Sequence, residues 1–319
     1  MGTNDTLVRE FLFLGFSKLG EIQLLFYPLF LLFYVITVNG NASIILGYKL
    51  SPILHTPMHF YLANLSSLEI ILVTSTIPKM LYDLLSSRKA ISFYGCAVQM
   101  YCVLLLGGTE CYVLVAMAYD RYDAICQPLL YTTIMNRITC IKHIIGSWPI
   151  GSINSLIHTA LTFSLPFCRS NQINHFFRDV PPLLALSCKD TWVNEWTVFG
   201  VASFVIFGSC ILTIFSYIKT ISAVLDVHSM VAMFYGSAIF MYFRPKSSYG
   251  NTYDRLVSPM YTMLVPLYNP FIYALRNKEV KSAIARLLSK RLRSLLLILS
   301  MCNRHDFIIF RYILVSYNT

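Results

Sequence analysis

The residues with the clearest chemical potential are the triplet Asp120-Arg121-Tyr122, which ends a long apolar run. A carboxylate can hold the planar fork of an arginine until another partner takes it, so this pair suits a switch at a helix end. The triplet alone is a weak signal, because any helix end can carry these residue types. Its context, from Met117 to Cys126 and on through Pro128-Leu129 and Tyr131, makes the signal much stronger.

Further polar residues lie within other apolar runs. Asn269-Pro270 precedes Tyr273, and a proline in a membrane helix frees a carbonyl group and permits a kink. Asn41 and Glu69 stand at membrane depth, where ionisable residues commonly have a function. We expect Asn41, Glu69 and Asn269 to form a polar cluster that holds water or a cation. The open alternative is a protonated Glu69 bonded to a neighbour.

The sequence offers no arrangement typical of an enzyme. It contains no motif that pairs a nucleophile with a base, and no C-x-x-C pair for zinc. We therefore expect no catalytic residue, no metal site and no cofactor. A membrane transporter or channel is the alternative from another class, but it needs charged or broken helices along a midplane path. Glu69 and Glu110 are the only ionisable residues at that depth.

The composition indicates that apolar helices in a membrane position these residues. Of 319 residues, 56% are hydrophobic and 13% are charged, and the mean hydropathy is +0.61. Soluble domains carry roughly a quarter charged residues. This balance excludes a disordered chain, a collagen and a small disulfide scaffold. The net charge of +10 does not indicate nucleic-acid binding, because the basic residues do not gather on one soluble face.

Seven apolar runs predict an all-α membrane protein, a seven-transmembrane helix bundle over residues 24–275. The runs are Leu24–Leu46, Phe60–Leu81, Cys96–Ala118, Ile141–Phe163, Val198–Ile218, Met230–Phe243 and Val257–Leu275. A crossing helix needs about 20 mostly apolar residues. The sixth run is much shorter and makes only about 21 Å of helix, so we expect that helix to be truncated. The longest connection, residues 164–194, is predicted to lie outside the cell, and a loop of this length is usually functional or disordered.

The distribution of basic residues predicts the orientation of the bundle. Lys and Arg are in larger excess on one side, which the positive-inside rule makes cytoplasmic, and this leaves residues 1–23 outside. Residues 276–293 alternate basic and apolar residues at helical spacing, which predicts a cytoplasmic amphipathic helix on anionic membrane lipids. Asn4 begins an Asn-x-Thr acceptor on the outer side, so we expect its glycosylation. Residues 294–319 form an atypical tail that spans nothing.

Taken together, these motifs resemble the olfactory receptors, a family of rhodopsin-like seven-helix G-protein-coupled receptors. The matching stretches are Phe11–Phe16, Gly40-Asn41, Leu54–Leu62, Met117–Cys126, His175–Phe177, Leu186–Cys188, Ser216-Tyr217, Phe234–Gly236 and Pro266–Lys281. They are spread over most of the chain. The stretch His55–Leu62 and the extended box around Arg121 are together highly specific to this family.

The resemblance implies that small volatile odorants bind in an apolar cavity among the third, fifth, sixth and seventh helices. The matching positions, each of which can instead serve helix packing, are Val103, Leu104, Gly107, Gly108, Val201, Val205, Tyr235 and Ile239. The resemblance also implies a receptor at the plasma membrane that couples to a heterotrimeric stimulatory G protein of the olfactory type. Arg121, Tyr217 and Tyr273 would rearrange during that coupling.

Two departures from the family pattern concern the disulfides and the sixth helix. Arg178 occupies the place of a family cysteine that bridges to the top of the third helix. Cys96 is therefore expected to lack that partner, while Cys168 and Cys188 bridge each other. A basic stretch leading into Lys-Ala-Phe-Ser-Thr-Cys is missing before Met230, which explains the short sixth run. In this receptor class that helix end swings outward to admit the G protein.

Two more departures lie at Asp123 and in the tail. Asp123 replaces an apolar residue of the family pattern, and we expect it to compete for Arg121 or to face a G protein unfavourably. The tail continues beyond the point where the family usually ends. All four departures suit a decayed or aberrant receptor copy. They predict retention in the endoplasmic reticulum and little or no coupling.

Overall fold

The computed structural model describes residues 9–13, 23–86, 89–167, 172–173, 180–184 and 186–197, together with residues 200, 208, 210–211 and 266–267. The predicted sixth helix and residues 276–319 lie outside the described residues. Of the predicted fifth and seventh helices, only a few positions are described.

Four long helices form the framework of the described chain. They are α1 (Gln23–Leu50), α2 (Pro57–Leu85), α3 (Phe93–Cys126) and α5 (Arg137–Phe163), and the short helices are α4 (Tyr131–Ile134) and α6 (Val180–Leu184). Residues 192–197 are also helical. The first four predicted helices are thereby confirmed, and each is longer than its apolar run. Among the described residues, α1, α2 and α3 are both long and apolar enough to cross a membrane.

Local sequence signals define where these helices begin. The side chain of Thr56 accepts a hydrogen bond from the backbone N–H of His59, and Pro57 occupies the first helical position of α2. Ser92 caps α3 through the N–H of Gly95 at 3.1 Å. Asn136 caps α5 in the same way. The capping residues therefore define the starts of three of the four long helices.

Helix α3 is central because it packs against both α2 and α5, while α1 packs against α2. Helices α3 and α5 approach each other closely at Gly151. A Cβ atom added there would lie 2.5 Å from the Thr109 hydroxyl oxygen and 3.1 Å from the Leu105 carbonyl oxygen. Only glycine allows the two backbones to come this close.

A small sheet at one end of the bundle modifies the all-α expectation. The strands are β1 (Glu10–Phe13), β2 (Ala90–Ser92) and β3 (Gln172–Ile173), in the order β2-β1-β3. β1 pairs antiparallel with β2 and parallel with β3. The N-terminal segment, the α2–α3 connection and the long loop after α5 therefore meet on one side. We call this side the outer end and the opposite side the inner end, following the orientation that the charges predict.

An apolar cluster, which we call the outer cap, lies beneath this sheet. Its aromatic members are Phe11, Phe93, Phe163 and Phe167. The Phe11 ring lies 5.4 Å from the Phe167 ring, edge to face, and Phe93 lies 5.0 Å from Phe163 in the same geometry. Phe11 is fully buried. The cap thus joins the N-terminal strand to α3, α5 and the long loop.

Candidate functional site

The triplet Asp120-Arg121-Tyr122 lies near the inner end of α3, but its acid and base do not pair as expected. Asp120 is buried and accepts a hydrogen bond from the Tyr131 hydroxyl of α4 at 2.8 Å. The Arg121 guanidinium donates to the sulfur of Met58 on α2. No salt bridge joins Asp120 to Arg121 in the part of the chain that the structure describes, and their attraction acts at longer range. Each member of the pair is held by a different neighbouring helix.

Tyr131 is suited to hold Asp120 because its hydroxyl keeps its proton. Burial and the adjacent Asp120 carboxylate both disfavour the phenolate, so the pKa of Tyr131 lies above its ordinary value. The hydroxyl therefore remains a donor through the physiological pH range. The α3–α4 contact is a neutral-to-charged hydrogen bond, which is stronger than one between two neutral groups.

Asp123 points into the bundle, so the expectation that it competes for Arg121 or faces a G protein is wrong. Only 1% of Asp123 is exposed. The groups that act on it include Tyr119, one turn earlier on α3, and His143 of α5. Asp123 is buried and not exposed as expected because α5 packs over this side of α3. Helical spacing within α3 alone could not show that α5 covers this position.

A second polar group lies deeper, where α1, α2 and α3 meet. Asn41 and Glu69 are fully buried, and Glu110 is 3% exposed. Glu69 is close enough to both other side chains to interact with them. The Asn41 amide nitrogen donates to the carbonyl oxygens of Thr37 at 3.1 Å and Pro266 at 3.2 Å. The latter bond places residue 266, in the predicted seventh helix, against α1.

The oxygen atoms of this deep group have few donors. Asn41 Oδ1, both Glu69 carboxyl oxygens and Glu110 Oε1 have no hydrogen-bond partner among the described residues. Buried oxygens of this kind need a proton, a water molecule or a cation. The structure thus brings Asn41 and Glu69 together as the sequence predicts and adds Glu110. No group of three or more His, Cys, Asp or Glu side chains suited to a metal occurs within the described ranges.

The predicted ligand-binding positions of α3 differ in what surrounds them. Val103 and Leu104 are half-buried and pack at the margins of two apolar clusters. A Cβ atom at Gly107 would meet no atom of the described residues within 4 Å, whereas one at Gly108 would lie 3.6 Å from the Gly151 Cα of α5. Gly107 therefore borders open space, and Gly108 borders a packed helix.

The long outer loop is tied to the bundle near Cys188. Cys188 is disulfide-bonded, and its backbone N–H donates to the Pro166 carbonyl at 3.1 Å. Phe167 and Ser187 form an isolated antiparallel bridge. The predicted partner, Cys168, lies outside the described residues, so the Cys168–Cys188 pairing stays a prediction. Cys96 is fully buried in the outer cap.

Several predicted site residues lie outside the described residues, and their roles stay predictions. They are Asn4, Arg178, Val201, Val205, Tyr217, Tyr235, Ile239, Asn269, Pro270 and Tyr273.

Sequence reasoning missed Met58, Tyr61 and His143 as partners at the inner end. The sequence places Tyr131 in the stretch that follows the Asp120-Arg121-Tyr122 triplet, but it does not indicate that Tyr131 contacts Asp120. Its spacing from Asp120 carries no signal, because a turn and a change of helix separate them. A histidine one turn into an apolar run was the available clue for His143.

The described part of the chain is thus a bundle of four long helices with an Asp-Arg-Tyr box near the inner end of α3. The sequence model of the olfactory receptor family matches residues 30–291. Mouse olfactory receptor 5AR1 is 41% identical over an alignment 304 residues long, and the alignment covers 90% of this chain and 98% of that protein. Human olfactory receptor 5I1 is 41% identical with 91% and 98% coverage, and human olfactory receptor 5AP2 is 42% identical with 91% and 97% coverage. The chain belongs to the olfactory receptor family, and it is a multi-pass membrane receptor.

Proposed function

We propose that this chain binds small volatile, largely apolar molecules in a cavity beside α3. The observation that carries this proposal is the surface around Gly107, where open space adjoins the half-buried, apolar Val103 and Leu104. Such a wall suits ligands with few polar handles. Val201, Val205, Tyr235 and Ile239 complete the proposed site from the fifth and sixth helices. The disulfide-bonded outer loop covers it.

The proposal includes weak or absent coupling to a stimulatory G protein. The outward swing of the sixth helix needs its inner turns, and the run Met230–Phe243 is too short to supply them. The alignments support a missing segment. The 304 aligned positions with mouse receptor 5AR1 exceed 90% of a 319-residue chain, so gaps fall on the side of this chain. Tyr217, Asn269, Pro270 and Tyr273 complete the proposed activation machinery around Arg121.

The deep polar group is proposed to hold water or a cation between α1, α2 and α3. Glu69 and Glu110 provide carboxyl oxygens that lack donors, and Asn41 provides an amide oxygen. Asn269 is the proposed fourth member. A bound water or cation would satisfy these oxygens and stabilise the resting arrangement of the helices.

The coupling proposal is tested by expressing the full chain with an N-terminal epitope in cells that report cyclic AMP. The probe is a mixture of volatile alcohols, aldehydes, ketones and acids. A second version carries the family segment ending in Lys-Ala-Phe-Ser-Thr-Cys between Ser229 and Met230, and its matched control adds Arg121→Ala. We expect no cyclic AMP rise from the chain as written, a rise from the inserted version, and none from the control.

Antibody binding to intact cells separates delivery from coupling in the same experiment. We expect the chain as written to be retained mostly in the endoplasmic reticulum, with little epitope at the surface. An odorant-driven rise from the chain as written would overturn the coupling proposal. If the inserted version reaches the surface and stays silent, the second candidate is favoured, a receptor copy that no longer signals. Flux of a solute through vesicles would favour a transporter.

A further inference from the structure

Asp123 is a buried carboxyl group whose charge needs an explanation. It is 1% exposed, and neither of its carboxyl oxygens has a hydrogen-bond partner among the described residues. The Tyr119 hydroxyl one turn earlier acts on this carboxyl group but brings no charge. A buried carboxylate without a counter-charge is strongly disfavoured, so Asp123 must take up a proton or gain a cation. Asp120 cannot help, because it carries the same charge and accepts the Tyr131 hydroxyl hydrogen bond.

His143 of α5 is the basic group placed to act on Asp123. It interacts electrostatically with Asp123 across the α3–α5 interface. The Tyr61 hydroxyl of α2 lies 2.7 Å from His143 Nδ1, and the two rings stack with their centroids 6.2 Å apart. The Tyr119 ring meets the imidazole edge to face, also at 6.2 Å. Three helices therefore fix the position of this imidazole.

Among the described residues, the other ionisable groups that act on this pair or on its neighbours carry no positive charge, apart from Arg121. Tyr61 comes from α2, Tyr119 and Asp120 from α3, Tyr131 from α4 and Cys140 from α5. The guanidinium of Arg121 is engaged with the Met58 sulfur. Among these groups, His143 is the one that can neutralise Asp123.

We propose that His143 is the counter-charge of Asp123, and that the two side chains share one proton within the α3–α5 interface. Tyr61 is a positioning residue for the imidazole. When Tyr61 donates to Nδ1, the neutral ring must carry its hydrogen on Nε2, and a second proton gives an imidazolium with hydrogen on both nitrogens. The hydroxyl can donate to Nδ1 or accept from it, so it holds the ring in both states. The pair keeps Asp123 directed at α5 and away from Arg121.

The test is the thermal unfolding of the purified full chain in detergent at about pH 5 and about pH 8. In His143→Leu, Asp123 has lost its cation and must bind a proton to stay buried. In the unfolded chain Asp123 is ionised at both pH values, so unfolding of this variant releases a proton and its stability falls as pH rises. We expect the unfolding midpoint of His143→Leu, relative to the parent chain, to be lower at the higher pH by about 3 °C or more.

Two companion variants make this outcome specific to the pair. Asp123→Asn in the His143→Leu background removes the proton-binding group, so the added pH dependence must disappear. His143→Gln keeps a hydrogen-bonding group for Tyr61 but carries no charge, and it must show the same pH trend as His143→Leu. This milder variant serves also if the leucine variant cannot be purified.

His158→Leu is the matched control, because His158 is a buried histidine on the same helix. The change in pH dependence that His158→Leu causes must be the same in the parent chain and in the Asp123→Asn background. The proposal is overturned if both His143 variants unfold with the same pH dependence as the parent chain. It is equally overturned if the double variant keeps the added dependence. Neither readout requires an odorant response, so failure here and failure of the proposed receptor function are separate results.

Discussion

The two ends of α3 are held in opposite ways. At the outer end, the rings of Phe11, Phe93 and Phe167 pack together beneath a three-stranded sheet. At the inner end, Asp120 depends on a tyrosine hydroxyl and Arg121 on a thioether sulfur. The packing of buried apolar side chains does not depend on pH, but replacing one of them by a polar side chain is costly. A polar contact depends instead on one specific donor and one specific acceptor.

This contrast matches the division of labour expected in the receptor. If the chain binds ligands as proposed, the outer end would hold the loop over the cavity in one arrangement, and a large apolar cluster suits that task. In a receptor that signals, the inner end would have to change partners, and single polar contacts such as those of Asp120 and Arg121 can be exchanged one at a time. Substitutions at the outer cap should therefore reduce the free energy of unfolding strongly. Substitutions at the inner end should have smaller effects on folding.

The largest expected effect comes from Phe11→Ala. The fully buried ring contacts Phe93 and Phe167, so its removal should lower the free energy of unfolding by about 3–5 kcal/mol. Chemical unfolding of the purified chain measures this loss. Tyr94→Ala is the control, because Tyr94 is 80% exposed and should change little. Equal losses for both variants would show that the cap is not the main outer contact.

Gly151→Ala tests the close approach of α3 and α5 between the two ends. The added methyl group would meet Thr109 and Leu105 atoms, which should destabilise the chain by about 1–3 kcal/mol. Gly146→Ala on the same helix meets nothing within 4 Å and should be neutral or slightly stabilising. If the two alanine variants unfold alike, the helices do not approach as described.

Tyr131→Phe tests the inner end. Loss of the hydroxyl leaves the buried Asp120 without its donor, which should cost about 1–3 kcal/mol at neutral pH. Because the pKa of Tyr131 lies above its ordinary value, the wild-type contribution should be complete below about pH 10 and be lost only as pH rises further. Unfolding curves at several pH values measure both effects. If the Tyr131→Phe variant is as stable as the parent chain, the hydrogen bond from Tyr131 to Asp120 does not stabilise the inner end.

The smallest effect is expected for Lys79→Met, a polar contact near the outer end. Lys79 pairs with Asp83 one turn later and donates to the Ala90 carbonyl of β2 at 3.2 Å. Its side chain is 29% exposed, so solvent weakens the pair and the loss should be about 1 kcal/mol or less. Lys142→Met, at an exposed lysine of α5, controls for the change in net charge. If Lys79→Met lowered the free energy of unfolding as much as Phe11→Ala, the apolar cap would not be the dominant contact at the outer end.

The sequence predicted the long helices well because apolar length is a strong local signal. The predicted run Cys96–Ala118 lies wholly inside α3 (Phe93–Cys126), which continues for two more turns. The added turns contain polar residues, Asp120 and Asp123, which break the apolar run in the sequence. Neighbouring helices bury both side chains, so the helix continues past the end of that run. Apolar runs mark only the part of a helix that lies in the hydrocarbon core, so predicted ends fall short.

Apolar runs could not predict the small sheet, nor which side chains contact Asp120, Arg121 and Asp123 at the inner end. Strands of two to four residues carry almost no periodic signal, and β1 is paired with segments far along the chain. The burial of Asp123 depends on where α5 packs. Helical spacing correctly placed Asp123 near Asp120, but it could not show that His143 lies opposite.

The most direct test of the coupling claim is nucleotide exchange in isolated membranes that contain the receptor and a stimulatory G protein. Equal amounts of the chain as written and of the version with the inserted segment are compared, so delivery to the cell surface plays no part. We expect odorant-dependent uptake of a GTP analogue with the inserted version alone. Equal odorant-dependent uptake by the chain as written would contradict it.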